Sequence, residues 1–169
     1  MASATGILAL TATINEALAT GLKAGVIVHG FDLGALQALR LDSGTGAGKI
    51  DLVYSTKETA IAASGTLDVD FAGSLTDSFG TVITMAKVKL VLLYNAGTVA
   101  ITVKSKAAAA FGWMSGTTDS INLAAGACLF YFDPTGVSVT GGATDKITIT
   151  NLSGSVASAH TILIAGTSA

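Results

Sequence analysis

Period-two alternation of apolar and polar residues is the feature that most constrains the fold of this chain, and it dominates from about residue 50 onward. Successive side chains of a β-strand point to opposite faces, so alternation predicts strands with one buried and one solvated face. The clearest case sets Leu67, Val69 and Phe71 against Thr66, Asp68 and Asp70. The alternation recurs around Ile101 with Val103 and around Ile147 with Ile149. A sheet-forming chain is therefore expected.

One strand departs from this alternation. The run from Leu90 to Leu93 is continuously apolar and follows Val88. A strand without polar residues is typical of one that is buried on both faces. We therefore expect this segment to lie either between two layers or at an interface.

Turn residues separate the predicted strands at the spacing expected of a sandwich or barrel. Asp133–Gly136 predicts a type I turn that joins residues 129–132 to 137–140 as a hairpin, because proline presets φ and glycine suits the fourth position. Further turns are predicted at residues 77–80, 95–97 and 141–142. About eight short strands with hairpin connections predict an all-β fold, an antiparallel β-sandwich that is jelly-roll-like.

Residues 1–48 differ from the rest of the chain and predict an extended N-terminal arm that packs on its own or a neighbouring subunit, leaving 49–169 as the β-sandwich domain. Leu33, Leu36 and Leu39 are spaced as on a helix beginning near Asp32, but Gly34 also leaves an extended strand open. Later in the chain, residues 106–114 predict a short helix or loop that crosses one end of the sandwich.

Low charge limits the partners that this chain can have. Of its 169 residues, 12% are charged and 50% are hydrophobic, and the net charge is -2. Without clustered lysine and arginine we expect no nucleic-acid partner. No apolar run approaches the about 20 residues that a membrane helix needs, so no membrane partner is expected. With so few charges the surface of the folded chain must include apolar area, which instead predicts a homo-oligomer or docking on a larger assembly.

Only one cysteine is present, Cys128, and it lies in an apolar run. One cysteine cannot form an internal disulfide. A free cysteine among apolar residues usually packs as a small hydrophobe, so we expect Cys128 in the core. The first basic residue, Lys23, lies beyond the position where a secretion signal would carry its charge, which predicts synthesis and retention in the cytosol.

No motif in the sequence indicates an enzyme, and no catalytic, cofactor-binding or metal-binding residue is predicted. The stretch Ser43–Lys49 is glycine-rich, but Ser43 and Ile50 stand where a phosphate-binding loop requires glycine and Ser or Thr. A flexible linker fits better. His29 and His160 are the only histidines, so a zinc site would have to recruit distant ligands. A nucleophile elbow is absent from the sequence.

Acidic and aromatic residues are the remaining candidates for a site. Asp68 and Asp70 share a predicted strand face with Asp77 nearby, which would suit a cation, but a solvated face is the simpler interpretation. Phe111 and Trp113 could form a sugar-binding platform, yet aromatic residues of this kind more often close one end of a sandwich.

Turn and strand motifs over approximately residues 50–165 resemble those of small virion structural proteins encoded near the capsid genes of tailed bacteriophages. These motifs are Tyr54–Thr56, Leu75–Gly80, Ala86–Val88, Thr118, Asp119, Ile121, Gly126 and Phe132–Gly136. The resemblance implies a capsid decoration (cement) protein that oligomerises, often as a trimer, and binds the major capsid protein across capsomer junctions. It also implies location on the virion surface after synthesis in the bacterial host cytoplasm, and no cofactor.

Two other functions stay open from the residues alone. A tail, fibre or adsorption protein could bind a cell-surface glycan through the sandwich loops, with Trp113 or Tyr131 stacking on a sugar. An uncharacterised hydrolase stays open because the members of a triad meet only in the folded chain. It is the weaker alternative because the sequence contains no nucleophile elbow.

Overall fold

The computed structural model describes residues 6–7, 11–18, 25–32, 40–77, 79–106, 111–114 and 118–169, with side chains from residue 41 onward. The chain divides into two compact units, which include Gly6–Arg40 and Leu41–Ala169 respectively. Within the described residues the secondary structure is entirely β. None of these residues belongs to a helix that is long and apolar enough to span a membrane.

Fifteen strands are described. They are β1 (Gly6–Ile7), β2 (Thr11–Leu18), β3 (Gly25–Asp32), β4 (Arg40–Ser43), β5 (Lys49–Ile50), β6 (Leu52–Ile61), β7 (Thr66–Asp70), β8 (Leu75–Thr76), β9 (Val82–Ile83), β10 (Lys87–Asn95), β11 (Ile101–Ser105), β12 (Ser120–Leu123), β13 (Cys128–Ser138), β14 (Lys146–Asn151) and β15 (Ser158–Thr167).

The unit that includes Gly6–Arg40 contains an antiparallel hairpin of β2 and β3. Its register places Thr11 opposite Asp32 and Leu18 opposite Gly25. The helix predicted to begin near Asp32 falls on residues 33–39, which lie outside the described part of the chain.

Two four-stranded antiparallel sheets form the larger unit, as the alternation predicted. The first sheet has the order β13-β10-β15-β6 and the second has the order β12-β11-β14-β7. Inward side chains of both sheets contribute to one core cluster, which is the arrangement of a β-sandwich. The fully buried members include Val91 and Leu93 from the first sheet and Ile101, Val103 and Ile147 from the second.

Connections between these strands mostly cross from one sheet to the other. The turn predicted at 77–80 does join a hairpin, since β8 and β9 pair antiparallel. The hairpins predicted at 95–97 and 141–142 are wrong, because β10 and β13 lie in the first sheet whereas β11 and β14 lie in the second. Alternation reports which face of a strand is buried. It does not report which strand lies beside it.

Asp133–Gly136 is not the turn of a hairpin either. Strand β13 runs without a break from Cys128 to Ser138, and both of its halves pair with β10. The register passes from Leu90 opposite Phe132 directly to Val88 opposite Val137. The intervening residues therefore bow out as an extended bulge, in which Gly136 has a φ of 85°.

Two buried asparagines close the end of the sandwich at which β10 and β14 finish. The Asn95 side-chain amide donates to the carbonyl oxygens of Val99, Leu123 and Ala124 at 2.8, 3.1 and 3.0 Å. The Asn151 amide donates likewise to the carbonyls of three residues, Ile61, Ala62 and Val156. Together the two side chains reach carbonyls in all four loops at this end, adding to backbone bonds such as those that Gly65 and Ala127 donate to the Ala62 and Ala124 carbonyls.

Replacing Asn95 tests this arrangement. We expect Asn95→Ala to lower the free energy of unfolding by about 3 kcal/mol, because buried groups that Asn95 pairs, among them the Leu123 carbonyl and the Gly97 amide, each lose a hydrogen bond. Asn122 is exposed on β12 and serves as the matched control, so Asn122→Ala should change stability by less than about 0.5 kcal/mol. Urea unfolding of both variants measures the difference. Equal losses in the two variants would contradict the role of Asn95.

His160 is a titratable group in the core. It lies on β15, is 1% exposed, and its Nδ1 atom has no hydrogen-bond partner. Burial lowers the pKa of His160 below its ordinary value of 6.5, and a backbone hydrogen bond to Thr59 offsets part of this shift. The neutral imidazole is therefore the form that the core accepts.

This burial predicts a loss of stability in mild acid. The unfolded chain protonates His160 as the pH falls through about 6.5, whereas the folded chain resists protonation, so the unfolded state binds more protons and gains stability. We expect the urea midpoint to fall between pH 7 and pH 5.5, and His160→Gln to fall less steeply. Parallel pH profiles for the two proteins would rule out His160 as the cause.

Candidate interface

The outer face of the first sheet is apolar. Its seven apolar residues, here called the apolar face, are Val53, Leu90, Leu92, Phe130, Phe132, Leu163 and Ala165. The sheet register arranges them in rows across the strands, with Leu90 between Phe132 and Ala165 and Leu92 between Phe130 and Leu163. These rows explain the continuously apolar run in β10, whose residues face the core and this surface alternately.

Only part of the apolar face is covered. Leu41 and Ile50, from β4 and β5, are buried against Leu90 and Ala165 at one end of it. The remaining members are half-buried. On the edge strand β13, the rings of Phe130 and Phe132 stack with centroids 6.4 Å apart and planes 13° from parallel.

The outer face of the second sheet is polar. Its outward residues, here called the polar face, are Thr66, Asp68, Asp70, Thr102, Lys104, Asn122, Lys146, Thr148 and Thr150. Threonines form one row across three strands, because Thr150 lies opposite both Thr102 and Thr66. The two outer faces of the sandwich therefore differ sharply in chemistry.

Asp68 and Asp70 share this polar face, but each pairs with its own lysine. Lys106 forms an ion pair with Asp68, and the Lys146 Nζ lies 3.1 Å from the Asp70 carboxylate. Burial raises the pKa of Asp68, but hydrogen bonds from Lys106 and Thr148 outweigh it and lower that pKa overall. Asp70 raises the pKa of Lys146. The carboxylates are thus neutralised by side chains of the protein, not arranged around a shared cation.

The third acidic residue considered at the sequence level lies elsewhere. Asp77 is in the turn between β8 and β9, where its Oδ1 accepts hydrogen bonds from the backbone amides of Phe79 and Thr81. Among the residues that the structure describes, no three His, Cys, Asp or Glu side chains are grouped so that they could hold a metal ion.

Bulges interrupt both edges of the first sheet. On β6, Glu58 adopts a φ of 51° and donates its amide to Thr161 Oγ1, where the register with β15 shifts. On β13, the bulge at residues 133–136 interrupts the regular pairing with β10. Bulged edges resist the addition of a further strand. Within the first sheet, the apolar face and not an edge strand is therefore the candidate interface.

A buried lysine fixes the glycine-rich loop next to this face. Lys89 is fully buried, and its Nζ donates to the carbonyl oxygens of Gly46 and Lys49 at 2.5 and 2.7 Å. Burial lowers the pKa of Lys89, Lys87 adds to this effect, and Asp51 and Asp133 oppose it. The loop presents carbonyls to a cation, which is the opposite of the amide lining that binds phosphate.

Close packing around Lys89 also explains the glycine in the neighbouring bulge. A Cβ at Gly136 would lie 2.9 Å from Lys89 Cγ, and the positive φ there independently favours glycine. Sequence reasoning missed Lys89, because a lysine beside Val88 and Leu90 reads as a polar interruption of a strand. The extra residue in the register, visible only in the fold, turns its side chain under the loop.

Cys128 is exposed, so the expectation that it packs in the core is wrong. It lies at the start of β13 opposite Tyr94, on the same side of the strand as Phe130 and Phe132. The apolar character of its neighbours reflects the apolar face and not the core. Spacing by two from Phe130 was the signal in the sequence that could have placed it there.

The aromatic residues considered as a sugar platform pack inward. Phe111 is fully buried, and its ring lies 4.8 Å from that of Phe71. Trp113 meets Tyr131 edge-on, with centroids 5.6 Å apart, and both are half-buried against the core. These residues close one end of the sandwich, as expected. Of residues 106–114, for which the sequence predicts a short helix or loop, residues 107–110 lie outside the described part of the chain.

Comparisons of the chain with protein-family models, curated proteins and solved structures found no match.

A charge placed on the apolar face tests whether it is an interface. We expect Leu92→Lys to weaken self-association about 100-fold, equivalent to about 3 kcal/mol, because a lysine there would be buried without a partner. Thr102→Lys is the matched control, since Thr102 is also half-buried but lies on the polar face. Sedimentation velocity over a range of concentrations measures the association.

The single cysteine gives this prediction a second measurement. Maleimide should label Cys128 more slowly in the associated protein than at dilutions at which the subunits separate, because Cys128 lies beside the apolar face. Labelling that is independent of concentration, together with equal association of Leu92→Lys and Thr102→Lys, would show that this face stays free.

Proposed function

We propose that this chain is a bacteriophage virion structural protein, a capsid decoration or cement protein that binds the major capsid protein across capsomer junctions and stabilises the head. The observation that carries the proposal is the contrast between the two outer faces of the sandwich. A half-buried apolar face on one side of a sandwich whose other outer face is polar is typical of a protein that works inside an assembly. The sequence motifs that resemble phage virion proteins supply the identity of that assembly.

A jelly-roll topology is part of the proposal, and the strand order supports it. Among the eight strands of the two sheets, which exclude the β8–β9 hairpin, consecutive strands alternate between the sheets, except that β11 and β12 are neighbours in the second sheet. The first strand of the series, β6, lies beside the last, β15, and β7 lies beside β14. Two sheets of four strands with such nested, non-sequential neighbours are typical of a double Greek key.

Self-association through the apolar face fits this role. The rows of the face contain apolar side chains from all four strands, so two copies can meet there without like charges facing each other. Both edges of the sheet are bulged, which disfavours association by strand addition. A homo-oligomer, with a trimer favoured by the resemblance, is therefore the proposed functional form.

Stabilisation of the head would come from stapling neighbouring capsomers. A standard protein interface buries about 1,600 Å² in total, enough for specific attachment despite the entropy cost of association. An oligomer that attaches through several equivalent copies gains avidity over a single subunit. Internal DNA pressure would then have to break several such contacts to separate the capsomers, and no cofactor is needed.

Reconstitution on capsids tests the proposed function. Purified protein added to capsids stripped of this chain should raise the temperature, or the chelator concentration, at which the DNA is released. Leu92→Lys should protect much less than Thr102→Lys, because a dissociated subunit loses avidity. Unchanged DNA release in the presence of wild-type protein would refute a cement role. A glycan array run with the same protein would detect the alternative adsorption function.

A further inference from the structure

The connection between β4 and β5 is too short for the way in which these strands pair. The two strands are parallel, with Asp42 opposite Lys49 and Ser43 opposite Ile50. Parallel neighbours within one chain normally require a connection of a dozen or more residues. Here residues 44–48, called the hinge below, are the whole connection. The chain must therefore reverse its direction twice within the hinge.

Two glycines make this double reversal possible. Gly44 has a φ of 130° and Gly48 a φ of 69°, in the region that other residues rarely adopt. A Cβ on Gly48 would meet no atom within 4 Å, so the backbone conformation alone favours glycine there. Glycine loses more conformational entropy on ordering than any other residue. Closing the hinge within one subunit therefore carries a cost.

The contacts that β4 makes do not depend on the closed hinge. Leu41 and Ile50 are each 3% exposed and pack with Leu90 and Ala165 at the covered end of the apolar face. The β4 strand of a second copy can form the same parallel ladder with β5 and place its own Leu41 in the same position. Exchange of an identical element is a low-cost route to association, because every contact is reproduced.

The position of β4 also fits association through the apolar face. The face extends about 15 Å across its four strands and about 10 Å along them, which is less than the about 800 Å² per partner of a standard interface. Exchange adds buried Leu41 and the β4–β5 ladder to the same interface. An extended hinge spans at most about 18 Å, so it keeps the covered ends of two apolar faces close together.

Two hydrogen bonds oppose extension of the hinge. Lys89 Nζ donates to the Gly46 carbonyl, and the Gly48 amide donates to the Pro134 carbonyl at 2.8 Å. The second bond of Lys89, to the Lys49 carbonyl, is made on β5 and does not require a closed hinge. A dilute subunit is therefore held closed, and contacts at the apolar face are needed to favour the extended form.

We propose that β4, together with the chain that precedes it, exchanges between copies of this protein through the hinge at residues 44–48. The inference rests on the proposed homo-oligomer and adds the segment that crosses from one subunit to the next. The closed subunit is the dilute form, and the exchanged subunit is the assembled form.

A disulfide across the β4–β5 ladder tests the exchange. Asp42→Cys and Lys49→Cys, combined in a Cys128→Ser background, place cysteines at paired positions, where sheet neighbours are close enough to be bridged. After oxidation of the assembled protein and denaturation without reductant, we expect covalent oligomers, because each bridge joins two chains. The two single-cysteine variants are the controls, and covalent oligomers should be far less abundant in them.

A glycine substitution gives the same experiment a second measurement. Gly48→Ala in the double-cysteine protein should raise the exchanged fraction at least about fivefold, at a dilution at which exchange is incomplete, because only the closed hinge forces alanine into the left-handed region. Gly142→Ala is the matched control. Gly142 has a φ of 74°, no atom lies within 4 Å of its added Cβ, and it lies in the loop between β13 and β14. This variant should leave the exchanged fraction unchanged.

The outcomes separate exchange from the virion role. Single chains recovered from a double-cysteine sample that sediments as an oligomer overturn the exchange and leave association through the apolar face standing. Equal cross-linking of the double- and single-cysteine proteins also overturns it, as does an equal response to Gly48→Ala and Gly142→Ala. Exchanged wild-type protein that does not protect stripped capsids refutes the virion role but not the exchange.

Discussion

Hydrogen bonds from two buried carboxamides determine how the sandwich can close. Where strands cross between sheets, the loops turn away from both ladders, and their carbonyls must find donors away from water. Asn95 and Asn151 each supply one amide that reaches three carbonyls, so a single side chain ties two loops together. Ser158 Oγ donates to Asn95 Oδ1 and extends this network to β15. The two four-stranded sheets are consequently held in one relative position by these hydrogen bonds as well as by packing in the core.

With the core fixed in this way, the two outer faces are free to differ. The outward positions of the second sheet hold threonines and lysine-carboxylate pairs, which interact well with water. The first sheet places phenylalanine and leucine at the corresponding positions. The low proportion of charged residues, 12% of the chain, predicted that some apolar surface would be exposed. Only the fold shows that this surface is gathered on one side of the sandwich.

Residue patterns predicted the strands better than their arrangement. The alternation around Val69, Ile101 and Ile147 correctly identified their buried faces, because the period of a strand is a local property. Pairing is a non-local property. The residues from Asp133 to Gly136 have the composition of a hairpin turn, yet the chain continues beyond them along the same neighbour, β10.

The candidate interface was predictable only in part. The apolar run at Leu90–Leu93 correctly indicated a strand with two apolar faces, one of which lies on the candidate interface. The prediction that Cys128 lies in the core was wrong, because apolar neighbours in the sequence do not distinguish a core from an outer face. Phe79 carries no signal of exposure in the sequence, since apolar residues also occur in buried turns. Only the fold shows that this ring is exposed while Leu75 and Ile83, on the two paired strands, are buried.

The lysine beneath the glycine-rich loop has a mechanical consequence. Tension applied through residues 1–40 reaches the sandwich by way of the loop at Gly46 and Lys49, whose carbonyls bind the Lys89 ammonium. Hydrogen bonds to a charged donor are about twice as strong as those between neutral groups. A pull on the amino-terminal part of the chain is therefore resisted by the packing of Leu41 and by the Lys89 hydrogen bonds before it can separate β6 from its sheet. Unfolding of the sandwich by such a pull therefore requires the Lys89 hydrogen bonds to break first.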